Sequence, residues 1–235
     1  RGRGWDFVTA GHQPFESFEQ IDLGAIDGLI ESFLEPGRLK QVLASGVAVV
    51  NTSGVREDAP LPRVSTDNVA VGRLGAEYLL KLGTDHVGFV AHGRFWFSRQ
   101  REAGFRSVVQ DAAGRVCHRF DEPLESMRSE ASGLASWLRE LPKPIAVMAA
   151  NDIRGSNVIE AAGRAGLRVP EDVAVLGVDN DEWQAALVAT PLSSIELNTR
   201  QVGYRAAMVL DDLMSGKHAP PPQLIPPVGV VTRRS

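Results

Sequence analysis

The sequence predicts an α/β protein in which parallel sheet is covered by helices, and two observations carry that reading. Short β-branched apolar runs alternate with longer stretches of helical period, the pattern of strands joined by crossover helices. Most of these runs are apolar throughout rather than alternating, as strands buried on both faces must be.

Candidate strands fall at residues 5–9, 28–32, 47–51 and 64–66. A helix then runs from about Asn68 to Leu82, since Asp67 can cap it, Val71, Leu74, Tyr78 and Leu82 share a face, and Gly83 can stop it. Strand 87–91 leads to a second helix that follows Ser98 and buries Phe105, Val108 and Val109, and then to strand 116–119. After strand 145–149 a third helix begins past Asn151-Asp152, carries Ile153, Val158, Ile159 and Ala162, and ends at Gly166 before Pro170. Strand 173–178 comes next. The fourth helix, about Thr199 to Met214, presents Val202, Ala206, Val209, Leu210 and Leu213. The Pro- and Gly-rich stretch 216–222 reads as a linker returning the chain to strand 228–232.

With 235 residues, 43% hydrophobic and 23% charged, the chain has the composition of a soluble globular protein of one large or two modest domains. Lys plus Arg is 25 and Asp plus Glu 29, a net charge of −4, so these residues are expected to bind nucleic acid poorly by themselves. The single cysteine, Cys117, has no partner for a disulfide or a CxxC site and reads as a small buried residue, which fits a cytoplasmic protein. No apolar run approaches the ~20 residues that cross a bilayer, and the opening residues Arg1 to Trp5 lack the apolar stretch of a signal peptide. A start without Met and an end on Arg233-Arg234-Ser235 read as a piece of a longer protein.

In parallel sheets ligands bind outside the carboxyl ends of the strands, so the polar residues just after each apolar run are the candidates. They are Asp67; a loop with Phe95, Trp96, Phe97, Arg99 and Arg101; Asn151 and Asp152; and Asp179, Asn180 and Asp181. Carboxylate, amide and guanidinium groups can each bond vicinal hydroxyls, and aromatic faces pack on the C–H patches of a pyranose ring, so the set suits a sugar. Each residue also has a plainer reading: Asp67, Asn151 and Asp152 are good helix caps, 179–181 could be a turn, and the aromatics could be core. An enzyme remains a rival, because the acidic cluster Asp179-Asn180-Asp181-Glu182 after a buried strand could hold Mg²⁺. No P-loop, GxGxxG, GxSxG or HExxH is present, and His12, His86, His92, His118 and His218 are too scattered along the sequence to suggest a metal site or a triad. No cofactor or metal is expected.

The sequence resembles the ligand-binding core of LacI/GalR-type transcriptional regulators, which share the two-lobed fold of periplasmic sugar-binding proteins. The carriers are Asp67-Asn68 with Gly72, Gly83-x-x-His86-Val87-Gly88, Arg101-Glu102-Ala103-Gly104-Phe105 and Ala150-Asn151-Asp152. Gly166-Leu167-Arg168-Val169-Pro170-Glu171-Asp172-Val173, Gly177-Val178-Asp179-Asn180 and Pro191-Leu192-Ser193-Ser194-Ile195 continue the series. The segment from Pro226 to Ser235 is similar to the xylose-responsive activators of that family, a branch that carries an AraC-type DNA-binding domain after the sensor.

The resemblance implies ligand contacts by Asp67 from one lobe and by Arg101, Asn151 and Asp179 from the other, with Phe95 and Phe97 in the pocket and Asp152 either there or capping a helix. It implies lobes at 1–91 plus about 191–222 and at 92–190 plus about 223–235, with crossovers near 91–92, 190–193 and 216–222. The family pattern also places a strand and helix ahead of residues 5–9, so the first lobe is expected to be truncated. The expected function is a cytoplasmic sensor for a monosaccharide, xylose first, with operator DNA bound through a domain outside this chain, in a homodimer without membrane contact. A sugar-binding receptor of a transport system is the alternative. Trp96 and Trp183 are expected near the cleft, and Trp5 and Trp137 away from it.

Overall fold

In the computed structural model the described residues are 4–6, 22–32, 36–57, 59–93, 95–122 and 133–235. A six-stranded sheet dominates, in the order β10-β8-β7-β6-β4-β5. Its strands are β4 (His86–Ala91), β5 (Val116–Asp121), β6 (Ile145–Ala149), β7 (Val173–Val178), β8 (Ser193–Glu196) and β10 (Gly229–Val231). All pairs are parallel except β10 on β8.

Both faces are buried along the central strands β4, β6 and β7, as their unbroken apolar runs require, whereas the edge strand β5 is half-exposed. Phe89, Met148, Leu176 and Val178 point into one core with Val71, Ala76 and Leu79 of α2 (Asn68–Leu80) and Phe105 and Val109 of α3 (Trp96–Asp111). The residues between them, Val90, Val147 and Val175, enter a second core with Leu134 and Leu138 of α4 (Leu134–Glu140) and Val158, Ile159 and Ala162 of α5 (Asp152–Arg164). The period-2 alternation thus sorts each strand between two helical layers.

Helices α2 and α3 touch backbone to backbone. A Cβ on Gly72 would fall 1.9 Å from the carbonyl oxygen of Arg101, and one on Gly104 would fall 2.1 Å from that of Val69. Only glycine permits this approach, and it sets Arg101 beside the first residue of α2.

The remaining strands are short. β1 (Gly28–Glu31) pairs in parallel with β2 (Ala48–Asn51), and β3 (Val64–Thr66) with β9 (Gln223–Ile225); a parallel bridge between Asn51 and Arg63 links the two pairs. Val50 and Val64 pack beneath Ala206, Val209 and Leu210 of α7 (Thr199–Met214). Two further helices are α1 (Pro36–Ser45) and α6 (Glu182–Leu187).

The periodic helix 199–214 has the bounds expected of it, and the second helix starts earlier, at Trp96. Strands β8 and β9 and the short helices α1, α4 and α6 were not expected. Ser193-Ser194 is polar although buried, so β8 carries no apolar run to announce it. The chain passes from 216–222 first into β9 and only then into β10. The sheets also cut the chain elsewhere than the expected boundaries: β4 and β8 belong to the six-stranded sheet, whereas β9 pairs with β3. Of the expected strand 5–9, residues 7–9 lie outside the described residues.

Candidate functional site: a cleft between the sheets

A cleft of about 270 Å³ opens where the carboxyl ends of the strands converge. From the short strands it receives Thr52 and Gly54, which follow β2, and Thr66, which ends β3. The larger sheet and its helices bring Asn68, Phe97, Arg101, Asn151, Asp179 and Leu197. This is the strand-end location that open parallel sheets offer to ligands.

Arg101 is the pivot and is only 4% exposed. Its Nε donates to Asn68 Oδ1 at 2.9 Å, and one terminal nitrogen donates to the Ala150 carbonyl and stands 3.7 Å from Asp179 Oδ1. Its guanidinium also covers the Phe97 ring at 4.8 Å. Burial draws its pKa down and the Asp179 charge opposes that, so the group stays cationic. Burial likewise pushes the Asp179 carboxyl up, with Arg101 pulling it back. The Asp179 side chain keeps 43% of its surface accessible.

The loop that presents Asp179 is strained, with φ of 118° at Asp179 and 52° at Asn180. Asparagine tolerates the left-handed region; an aspartate at 118° does so at a cost of roughly 1–3 kcal/mol, which the surroundings must offset. They do so with hydrogen bonds. Asp179 N donates to Ile195 O at 3.0 Å and Asn180 N to Ser194 Oγ at 3.0 Å. Asp152, 1% exposed, accepts from Ser194 Oγ at 2.6 Å and from Asp181 N at 2.8 Å. Burial pushes the Asp152 carboxyl up to about 6 despite these two bonds. Gly177 makes room for it, since a Cβ there would lie 2.1 Å from Asp152 Oδ1.

The structure therefore brings Phe97, Arg101, Asn151 and Asp179 of the expected set into one cleft. Asn151 does two jobs there: its Oδ1 accepts from Arg154 N at 3.0 Å as the cap of α5, while the side chain lines the cleft. Asp67, Phe95 and Asp152 are not in the lining. The Asp67 carboxylate is engaged in capping α2, accepting from Ala70 N at 2.9 Å, and its neighbour Asn68 takes the place at the cleft. Phe95 stacks on Phe97 with centroids 5.5 Å apart and stands 4.4 Å from His92, behind the lining ring. Asp152 supports the loop from below.

Thr52, Gly54, Thr66, Asn68 and Leu197 were missed. Thr52 and Thr66 stand at strand ends and the same rule would have found them; Leu197 follows the unannounced β8. Gly54 and Val55 do something further: their carbonyls accept from Phe97 N at 2.7 Å and Trp96 N at 3.1 Å, capping α3 from the short-strand side. Trp96 lies under the Arg63 guanidinium at 4.5 Å, Trp183 on α6 is 79% exposed, and Trp137 packs on Phe120 at 5.3 Å.

Two members of the acidic cluster have partners within the chain. Asp179 faces Arg101, and Asp181 caps α6 by accepting from Trp183 N and Gln184 N. Two of the scattered histidines do meet: His86 Nδ1 and His118 Nε2 are 3.1 Å apart across β4 and β5. Among the described residues no group of three or more His, Cys, Asp or Glu is placed to hold a metal ion, and no helix is long and apolar enough to cross a membrane.

Comparison with known proteins agrees with this geometry. The family described as periplasmic binding protein-like domain matches residues 76–235. The xylose operon regulatory protein of Escherichia coli is 30% identical over 89% of this chain and 56% of its own length, so the chain spans about half of that relative. The HTH-type transcriptional regulator CelR of Thermobifida fusca is 31% identical over 99% of this chain and 71% of that protein. Among solved structures, the xylose-binding transcription activator xylR superposes with a TM-score of 0.79 at 28% identity, covering 89% of this chain and 58% of that one. The chain belongs to the periplasmic binding protein-like domain family.

Proposed function

We propose that this chain is the effector-sensing part of a transcriptional regulator and binds a monosaccharide, with xylose the first candidate, in the cleft. The observation that supports this best is the composition of that cleft. One guanidinium, one carboxylate, two amides and two threonine hydroxyls converge on about 270 Å³ beside Phe97. That volume lies just below the range of drug-sized pockets, about 300–1,000 Å³, and suits one sugar ring. The curated name of the E. coli relative favours xylose over other monosaccharides.

The six-stranded sheet with its helices forms one lobe and the short strands with α7 the other. A ligand shifts the balance between open and closed lobes only by its differential affinity for the closed form, and residues from both sides of the cleft supply that difference. The protein works in the cytoplasm as a homodimer and binds operator DNA through an AraC-type domain outside these 235 residues. The net charge of −4 supports that division of labour, since counterion release needs a basic face. The chain acts by binding and not by catalysis, as the regulatory names of its relatives suggest.

Calorimetry and thermal shift with xylose, arabinose, ribose, glucose and galactose test the reading. A sugar at 100 times its Kd should stabilise the chain by about 2.7 kcal/mol. Failure of all five to bind would overturn it, and a hexose binding ahead of xylose would reassign the effector.

A further inference from the structure

We propose that Arg233 is a positioning residue for the ligand loop, and that occupancy of the cleft is thereby felt in the segment 233–235. The proposal rests on the sugar-sensing reading above and adds to it the route by which binding reaches the exit from β10.

The loop 179–181 cannot hold its shape alone, because two successive non-glycine residues have positive φ, 118° at Asp179 and 52° at Asn180. Asp152 and Ser194 fix its backbone, as described above. The Asn180 side chain is braced by Arg233, whose Nη2 donates to Asn180 Oδ1 at 2.7 Å. The bond sets which way the Asn180 amide faces, next to the carboxylate that meets the ligand.

Arg233 is itself held on both sides. Its Nη1 donates to Leu192 O at 2.8 Å and its backbone N to Ser193 Oγ at 2.9 Å. The two residues after it continue the contact: Arg234 N donates to Pro191 O at 3.1 Å, and Ser235 Oγ donates to Val175 O at 2.7 Å while accepting from Ser193 N at 2.8 Å. The segment is therefore laced to 191–193 and to β7, the strand whose end carries Asp179. A guanidinium that reaches a carbonyl with one terminal nitrogen and an amide oxygen with the other uses the fork that lysine lacks. Any shift of Asn180 on ligand binding moves an acceptor of Arg233, and with it the hydrogen bonds of 233–235.

The test uses the chain as it stands, with xylose as the probe, in the parent and in R233A, R233K and N180A. Without sugar, R233A should speed hydrogen exchange at the Asn180 and Asp181 amides while Val147, in the middle of β6, exchanges as in the parent. With sugar, R233A should bind about tenfold more weakly, as loss of one charge-assisted bond implies, and R233K should not restore affinity. Saturating sugar should slow exchange at the Arg233 and Arg234 amides in the parent and not in N180A. Unchanged exchange at Asn180 and Asp181 in R233A would overturn the positioning role. Unchanged exchange at Arg233 and Arg234 on sugar binding would overturn the transmission. If the parent binds no sugar, the sensing reading fails and the transmission claim with it, while the ligand-free exchange still decides the positioning role.

Discussion

The two sides of the cleft are built to different standards. On the six-stranded side Arg101, Asn151 and Asp179 arrive already bonded, to Asn68 and Ala150, to Arg154 N and to Arg101 in turn, above two buried cores. The other side offers Thr52, Gly54 and Thr66 from strands of three or four residues over a small core centred on Val50, Val64 and three residues of α7. The lesson is one of preorganisation: charged groups that must meet a ligand at fixed angles stand on the heavily packed sheet, and neutral hydroxyls stand on the light one, that of Thr52 donating to the Glu31 carbonyl at 3.1 Å. Local opening should accordingly cost less on the short-strand side.

Four substitutions or conditions would break or sharpen that contrast. Arg101→Ala removes a cation that satisfies Asn68, Ala150 and Asp179 together, so it should destabilise the chain by about 2–5 kcal/mol and abolish sugar binding. Urea unfolding and calorimetry check both; a stable variant would mean the packed side is less committed than its bonds imply. Asp179→Ala should leave the fold intact and weaken sugar binding by about 1.5–3 kcal/mol, the worth of charge-assisted bonds to hydroxyls. Equal affinity by calorimetry would remove Asp179 from the site.

Asp152 gives a pH signature of intermediate size. Its carboxyl is pushed up to about 6 by burial, so the folded chain holds that proton more tightly than the unfolded one. The stabilisation it gives is complete below the unfolded value and is lost as pH rises through about 6, on the order of 1–3 kcal/mol. Asp179, also pushed up by burial, acts in the same direction. Sugar affinity should run the other way and rise through the same interval, because only the ionised Asp152 accepts from both Ser194 and Asp181. Melting temperature and affinity measured from pH 4.5 to 7.5 should diverge in the parent, and this divergence should shrink in Asp152→Asn. Parallel trends would show that the loop is not held by Asp152. The smallest effect belongs to the light side: Thr52→Val should cost about 0.5–1.5 kcal/mol of affinity, and no more than that of stability, since it gives up the bond to the Glu31 carbonyl. A larger loss of affinity than in Asp179→Ala would reverse the comparison.

The same contrast governed what the sequence could reveal. Helix 199–214 and the strands β6 and β7 follow from periodicity and unbroken apolar runs, because burial on a large sheet leaves that mark. Strand β8 left none, since its Ser193 and Ser194 are buried by hydrogen bonding and not by apolarity. The strand-end rule pointed to Arg101, Asn151 and Asp179, which line the cleft, but could not separate a cap from a cleft residue. Asp67 caps its helix and is not in the lining, while Asn151 does both. The brace beneath the loop was invisible for another reason: Asp152, Ser194 and Arg233 meet only through the fold, across long sequence separations, and no local pattern records them.

The cap that Gly54 and Val55 place on α3 ties the opening of the cleft to the fraying of a helix. Were the two sides of the cleft to part as proposed, the N–H groups of Trp96 and Phe97 would lose the carbonyl partners they have here and pass to water. Each opening thus leaves two amides ready to exchange with solvent, in the same helix that carries Phe97 and Arg101. Their exchange rate is a built-in gauge of how often the empty protein gapes, readable with no probe attached and no ligand added. Because the gauge sits on the packed side and its stop on the light side, it reports the hinge itself and not the looseness of either lobe.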